Sequence, residues 1–286
     1  MSPLPLQRLL DYQAATFHST PSLRIQDIEA AIHFVEERGF IFFWPITGIT
    51  LPSLWVSVAG DRPVADAHDD PGHITWGWKD SLLSQRRWYY AKVLRKKATI
   101  ISLELAPSFY ALSENYGSPE DDYLILYEQG SLTQEARLVY EALLAEGPLD
   151  AVALRRATRM SSPGSETRFN RALLDLQADF KVLPVGVARA GAWNYAFIYQ
   201  IAAYHYPELP EQARSIGEAQ ARRSLAAAYL RSVGAARMED LARLFGWMPP
   251  QTGSAAESLV QAGLATAGQE IEDRRGEWLV LSDLLG

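Results

Sequence analysis

The chain has 286 residues, of which 48% are hydrophobic and 21% charged, as expected of a protein that buries a core. It contains no cysteine, which excludes disulfides, zinc–thiolate sites and cysteine nucleophiles. Its formal net charge of -7 disfavours a nucleic-acid ligand, because phosphate contacts need Lys and Arg. The start of the chain has no basic stretch followed by an apolar one, and no apolar run reaches the about 18 residues of a membrane span. We therefore expect a cytoplasmic protein without a membrane partner.

The first part of the chain predicts a mixed, mainly helical region. Residues 22–39 have a helical stripe of aliphatic side chains, and Gly39 suits the end of that helix. The apolar run over residues 40–46 predicts buried extended chain, because Pro bounds it. Residues 80–97 predict a basic helix, or a helix plus a turn, and the β-branched residues over 99–105 predict a strand.

The most regular pattern begins near residue 131. Thr133 and Asp150 are expected to cap the first two helices, and a Pro-Gly turn separates the second helix from the third. Two strands joined by a tight turn complete the order of a winged helix. The predicted elements are helices over residues 136–144, 149–160 and 165–180, and strands over 181–188 and 193–199.

A similar order of elements recurs towards the end of the chain. The chain is therefore predicted to be mainly α with small β-wings, built from tandem winged-helix (helix-turn-helix) units. The predicted segments are an N-terminal helical or mixed region over 1–130, with a degenerate winged helix as one option, a winged helix over 131–200, and a second winged helix over 201–286.

Short motifs in the middle and C-terminal parts resemble the AlkZ/YcaQ family of bacterial DNA glycosylases, which are tandem winged-helix proteins. The motifs are EALL at 141–144 with Gly147-Pro148, the helix over 165–180 with Val185-Gly186, WNYAF at 193–197, YPE at 206–208 and LFGW at 244–247. WGWKD at 76–80 and YALSENY at 110–116 look typical of an uncharacterised side branch of that family. The resemblance implies a winged-helix fold and DNA as the partner.

The resemblance also bears on catalysis. The family's enzymes use a Gln-x-Gln or Gln-x-Asp motif, and its best counterpart here has Phe42 in place of the catalytic Gln and Trp44 in place of the second polar residue. Aromatic side chains can neither position a water nor stabilise positive charge on the sugar. The resemblance therefore implies a relative that binds DNA without excising bases. An alternative is a glycosylase for alkylated or crosslinked bases that uses another acid, Glu104 or Asp66.

The basic residues of two stretches are the predicted nucleic-acid contacts. In a winged helix, the third helix reads a groove, the helix before it contacts phosphates, and the wing follows the backbone. The stretch around 86–97 interleaves cations with Trp88, Tyr89 and Tyr90, a pattern that suits stacked bases. The alternative without a nucleic-acid ligand is a solvent-exposed face whose cations form ion pairs within the protein and whose aromatic residues pack inward. The predicted contacts are Arg86, Arg87, Lys92, Arg95, Lys96, Lys97, Arg155, Arg156, Arg159, Arg168, Asn170, Arg171 and Arg189.

Duplex DNA, with damaged or distorted sites as a further option, is thus the expected partner, and no cofactor is expected. No metal site is expected either, because His68, Asp69, Asp70 and His73 match no metal-binding signature. A protein-interaction scaffold is a third interpretation, favoured by the overall acidity. The DNA interpretation requires that the two basic stretches lie on one face.

Overall fold

The structure is a computed structural model that describes residues 3–64, 66, 69–191 and 193–286, so His68 lies outside the described residues. The helices are α1 (Leu6–Thr16), α2 (Ile28–Arg38), α3 (Leu54–Ala59), α4 (Ile74–Leu82), α5 (Ala106–Tyr110), α6 (Asp122–Glu128), α7 (Gln134–Glu146), α8 (Ala151–Ala157), α9 (Glu166–Ala178), α10 (Ala202–His205), α11 (Leu209–Arg214), α12 (Glu218–Val233), α13 (Met238–Phe245) and α14 (Pro249–Gln261). The strands are β1 (Phe40–Phe42), β2 (Tyr89–Lys92), β3 (Ala98–Ile101), β4 (Leu149–Asp150), β5 (Val182–Ala188), β6 (Ala196–Ile201), β7 (Ala235–Ala236), β8 (Ala265–Ile271) and β9 (Arg274–Leu281).

The chain divides into two compact units that differ in charge. The first unit comprises Met1–Trp78, Thr99–Leu105 and Glu218–Gly286, and the second comprises Lys79–Ala98 and Ala106–Gly217. The first unit has 11 Lys and Arg against 19 Asp and Glu, a net charge of -8, whereas the second has 16 against 15, a net charge of +1. The acidity of the protein therefore belongs to the first unit.

The second unit contains the regular pattern predicted from the sequence. Thr133 accepts a hydrogen bond from the Ala136 amide and caps α7, and Asp150 accepts two amide hydrogen bonds and caps α8. The strands form an antiparallel sheet in the order β4-β6-β5. Its core lies between α7 and α9, where Val139, Leu143 and Leu176 are almost fully buried.

The first unit repeats this order near its end. Helices α12, α13 and α14 are followed by β8 and β9, and the sheet order β7-β9-β8 matches that of the second unit. In the N-terminal part, β1 pairs antiparallel with β3. Helix α2 begins at Ile28 rather than near residue 22, because the side chain of Asp27 accepts a hydrogen bond from the Ala30 amide and caps it there.

The prediction of a basic helix over residues 80–97 is wrong beyond Leu82. Helix α4 ends there, and β2 occupies Tyr89–Lys92. The aromatic residues decide this, because Trp88, Tyr89 and Tyr90 are buried one after another, and a helix would turn one of them outwards.

The predicted fold class, mainly α with small β-wings in tandem winged-helix units, is confirmed by this order of helices and sheets. The division into segments 1–130, 131–200 and 201–286 stays a prediction. Among the described residues, no helix is both long and apolar enough to cross a bilayer.

Candidate nucleic-acid interface

Helix α9 presents a polar face to solvent. Phe169, Leu173 and Leu176 bury its other face, and these residues recur at the helical spacing that the sequence showed. The same spacing leaves Asn170 and Arg171 exposed on the polar face. Helix α9 is the third helix of the winged-helix order, the one that enters a groove in helix-turn-helix proteins.

The carboxylate of Asp175 joins the two predicted basic stretches. It forms one ion pair with Lys96 and another with Arg171, whose Nε lies 3.8 Å from Oδ2. The backbone amide of Lys92 also donates a 3.2 Å hydrogen bond to the side chain of Gln177 on α9. Within the second unit, the stretch around 92–97 thus lies against the side of α9.

Further cations on this surface are held by neighbouring polar groups. Arg155 on α8 contacts Glu166 at 3.4 Å and the amide oxygen of Asn170 at 3.1 Å, so it connects α8 with α9. Arg168 pairs with Glu135 on α7 at 3.0 Å. Such solvent-exposed pairs contribute only about 0–1 kcal/mol each, so a phosphate can replace the carboxylate at little cost.

The remaining predicted contacts are exposed and lie on turns or at the ends of elements. Arg86 and Arg87 lie in the turn before β2, and Lys97 precedes β3. Within the part of the chain that the structure describes, Arg86, Lys92, Arg95, Arg156, Arg159 and Arg189 form no ion pair.

The interpretation of Trp88, Tyr89 and Tyr90 as base-stacking residues is wrong, because all three are buried. The ring of Tyr89 stacks on Phe180 at 4.3 Å between centroids, and the hydroxyl of Tyr206 donates to the Trp88 carbonyl. These aromatics belong to the core of the second unit, and only the cations beside them face solvent.

Sequence reasoning missed a polar cluster around Lys79. Its Nζ is almost fully buried, 2.8 Å from Oδ1 of Asp80 and 3.0 Å from the hydroxyl of Tyr195. The hydroxyl of Tyr195 donates to the same Asp80 oxygen, and the Phe197 ring lies 4.6 Å from Nζ. Burial lowers the pKa of Lys79, and the Asp80 carboxylate opposes that shift.

The signal for this cluster was present in the sequence. The WGWKD and WNYAF motifs were noted as separate stretches, and the structure brings Lys79-Asp80 of one to Tyr195 and Phe197 of the other. The cluster anchors the start of β6 and therefore the base of the wing between β5 and β6. At the tip of this wing, Trp193 is 90% exposed, and Arg189 is also exposed.

In the first unit, the counterpart of the catalytic motif is apolar. Phe42 is fully buried in β1, and Trp44 packs against Trp55 and Trp76 at 5.2 and 5.8 Å between ring centroids. The strand predicted over residues 99–105 ends early, because β3 ends at Ile101, and Glu104 is exposed in the following turn. Asp66 is exposed as well.

No group of acidic and histidine side chains with the geometry of a metal site occurs among the described residues.

The comparisons with known proteins give a family and a fold. The family model described as AlkZ related matches residues 25–246, which is more than half of the chain. The chain belongs to the AlkZ-related family. No curated protein matches this AlkZ-related chain. Among solved structures, the Streptomyces sahachiroi DNA glycosylase AlkZ is similar, with a TM-score of 0.57 at 12% identity over 99% of this chain and 71% of that chain. At this identity, the likeness to AlkZ establishes the fold alone.

Proposed function

We propose that this AlkZ-related protein binds duplex DNA through its second unit and does not excise bases. The observation that supports binding is the shared Asp175 carboxylate, which joins Lys96 and Arg171 and so brings two distant basic stretches together. The unit that holds all the predicted contacts is also the one that is not acidic. This proposal includes a cytoplasmic location and two winged-helix modules, one over residues 131–200 and a second over 201–286.

The absence of catalysis follows from the apolar counterpart of the family's motif. A base-excising enzyme needs a polar group to hold water and to stabilise charge on the sugar. Phe42 is buried and Trp44 packs against other indoles, so neither supplies such a group.

A salt series of fluorescence anisotropy with a labelled duplex tests binding. Each phosphate contact adds about 0.9 to the negative slope of log K against log salt. The double variant Lys92→Gln/Arg95→Gln should bind about tenfold more weakly at low salt, with a slope smaller by about 2. If the wild-type protein does not bind duplex at low salt, the proposal fails.

Arg137→Gln/Arg214→Gln is the matched control, because it removes the same charge from the same unit at positions outside the predicted surface. Its affinity and slope should equal those of the wild type. An equal loss in both double variants would mean that only the net charge of the unit matters.

Base release from alkylated duplex, measured under conditions in which the DNA stays bound, tests the second half of the proposal. We expect no release above background. Release that disappears in Glu104→Gln or Asp66→Asn would instead establish the divergent glycosylase.

A further inference from the structure

The first unit contains a cavity of about 450 Å³ that the DNA proposal does not use. Its wall is formed by α1, the loop around Gly48, α12, α13 and β9. This volume is within the range of small-molecule sites, and such sites carry a few converging polar groups. The charged side chains that line this cavity are Arg237, Asp240, Arg243 and Arg274.

One lining donor is buried without a partner. The indole Nε1 of Trp278 is shielded from solvent and has no hydrogen-bond acceptor among the described residues. Because this N–H is closed to water, a ligand oxygen of the same size does not reach it either, and Trp278 contributes other atoms of its side chain to the cavity wall.

The charges on the wall are mostly positive. Three guanidinium groups line the cavity against one carboxylate, in a unit whose net charge is -8. Arg237 is neutralised by Asp240, with Nε–Oδ2 and Nη2–Oδ1 distances of 3.1 Å. Two net positive charges therefore remain.

The two remaining arginines are available to a ligand. Nη1 of Arg243 donates a 3.4 Å hydrogen bond to the Gly48 carbonyl, and Arg243 forms no ion pair with any described residue. Arg274 forms no ion pair in the described part of the chain and is exposed at the start of β9. Both guanidinium groups line one cavity and form no ion pair among the described residues, so their charge and their N–H donors suit an anionic ligand.

We propose that this cavity binds a phosphate monoester the size of a nucleoside monophosphate. A phosphate offers three acceptor oxygens, enough for both guanidinium groups, and the guanidinium fork matches the geometry of those oxygens. The cavity is larger than a bare phosphate, which leaves room for the nucleoside. The source is a free nucleotide or the 5′-phosphate end of a strand.

Isothermal titration of the full chain with five compounds tests whether the cavity binds a phosphate monoester. AMP should bind, adenosine should bind at least tenfold more weakly, and inorganic phosphate should compete with AMP. A 5′-phosphorylated trinucleotide compared with its unphosphorylated form identifies the source, because a strand-end site prefers the phosphorylated trinucleotide to AMP. If AMP does not bind at millimolar concentration, or adenosine binds equally well, the proposal is wrong.

Arg243→Gln and Arg274→Gln should each weaken AMP binding about tenfold or more, because each removes a guanidinium group that contacts the phosphate. Arg275→Gln is the matched control: it is the next residue on β9, and successive strand residues point to opposite faces. Arg275 does not line this cavity, so its variant should bind AMP as the wild type does. Equal losses in Arg274→Gln and Arg275→Gln would overturn the proposal.

This inference and the DNA proposal fail separately. The cavity variants lie in the first unit and should leave duplex affinity unchanged, whereas Lys92→Gln/Arg95→Gln should leave AMP binding unchanged.

Discussion

At the scale of residues, the buried Lys79 lies beside two polar groups that stabilise its charge. Its partners are the carboxylate of Asp80 and the hydroxyl of Tyr195, and burial lowers its pKa. Breaking a buried ion pair by removing one partner is costly, because the remaining charge stays out of water.

We therefore predict that Asp80→Asn lowers the free energy of unfolding by about 2 to 3 kcal/mol at pH 7. Tyr195→Phe keeps the ion pair and loses only a hydroxyl, so its cost should be about 1 kcal/mol. Urea denaturation of both variants and the wild type gives the comparison. An equal cost for the two would show that the carboxylate has no special role.

The pH dependence of the Asp80→Asn variant follows from the direction of the Lys79 shift. In the folded state, the pKa of Lys79 lies below its ordinary value of 10.5, and without Asp80 it falls further. Between that lowered pKa and 10.5, the unfolded chain binds more protons, so stability rises with pH. The difference in the free energy of unfolding between the variant and the wild type should therefore become smaller as the pH approaches 10.5. A difference that stays constant with pH would contradict this prediction.

At the scale of elements, the wing between β5 and β6 has an aromatic side chain that is not buried in the folded protein. Trp193 is 90% exposed, so burial cannot account for it. Stacking of a base on such a ring is worth about 1–3 kcal/mol. Because only a base outside the helical stack can reach the ring, we predict that Trp193→Ala weakens binding to a duplex with an unpaired base about tenfold, without lowering the free energy of unfolding.

Tyr116→Ala is the control for the wing, because Tyr116 is an exposed aromatic residue of the same unit. Anisotropy should show that this variant has the affinity of the wild type, and urea denaturation should show that its free energy of unfolding is unchanged. A similar loss of affinity in both variants would remove the wing from the interface.

The elements also show what sequence patterns can predict. The helices from α7 to α9 followed from the caps Thr133 and Asp150 and from the helical stripe of Phe169, because these signals are local. Strand β2 did not, because the burial of Tyr89 depends on Phe180, which is far along the chain. The Lys79 cluster was out of reach for the same reason, since its partner Tyr195 comes from a different stretch.

At the scale of the whole molecule, tyrosines dominate the response to alkali. Burial raises the pKa of Tyr90, Tyr199, Tyr206 and Tyr229 above the ordinary value of 10. The folded state thus keeps phenolic protons that the unfolded chain releases. The contribution of these tyrosines to the free energy of unfolding is therefore fully present below pH 10 and falls as the pH rises above 10.

An alkaline titration followed by absorbance at 295 nm and by near-UV circular dichroism checks this. We predict that these tyrosines ionise only as the near-UV signal is lost. Reversible ionisation of all tyrosines near pH 10 with the signal intact would contradict the burial of their hydroxyls.

The distribution of charge over the molecule could be predicted only in part. Counting along the chain showed that residues 131–200 were not acidic, but the second unit also includes the basic stretch of Lys79–Ala98. That stretch joins the unit through long-range contacts such as Lys96 with Asp175. Whether two basic stretches belong to one surface is a property of the fold, which no count along the sequence contains.

Asp175 has a consequence for selectivity. A carboxylate that already occupies Lys96 and Arg171 is a resident competitor, which any polyanion must displace. Opening each of these exposed pairs costs at most about 1 kcal/mol, so we expect a polyanion that engages few cations to lose a larger share of its binding energy than one that engages many. Asp175→Asn removes this carboxylate. We therefore expect the variant to bind heparin more tightly than the wild type does, with a smaller gain in its affinity for duplex DNA.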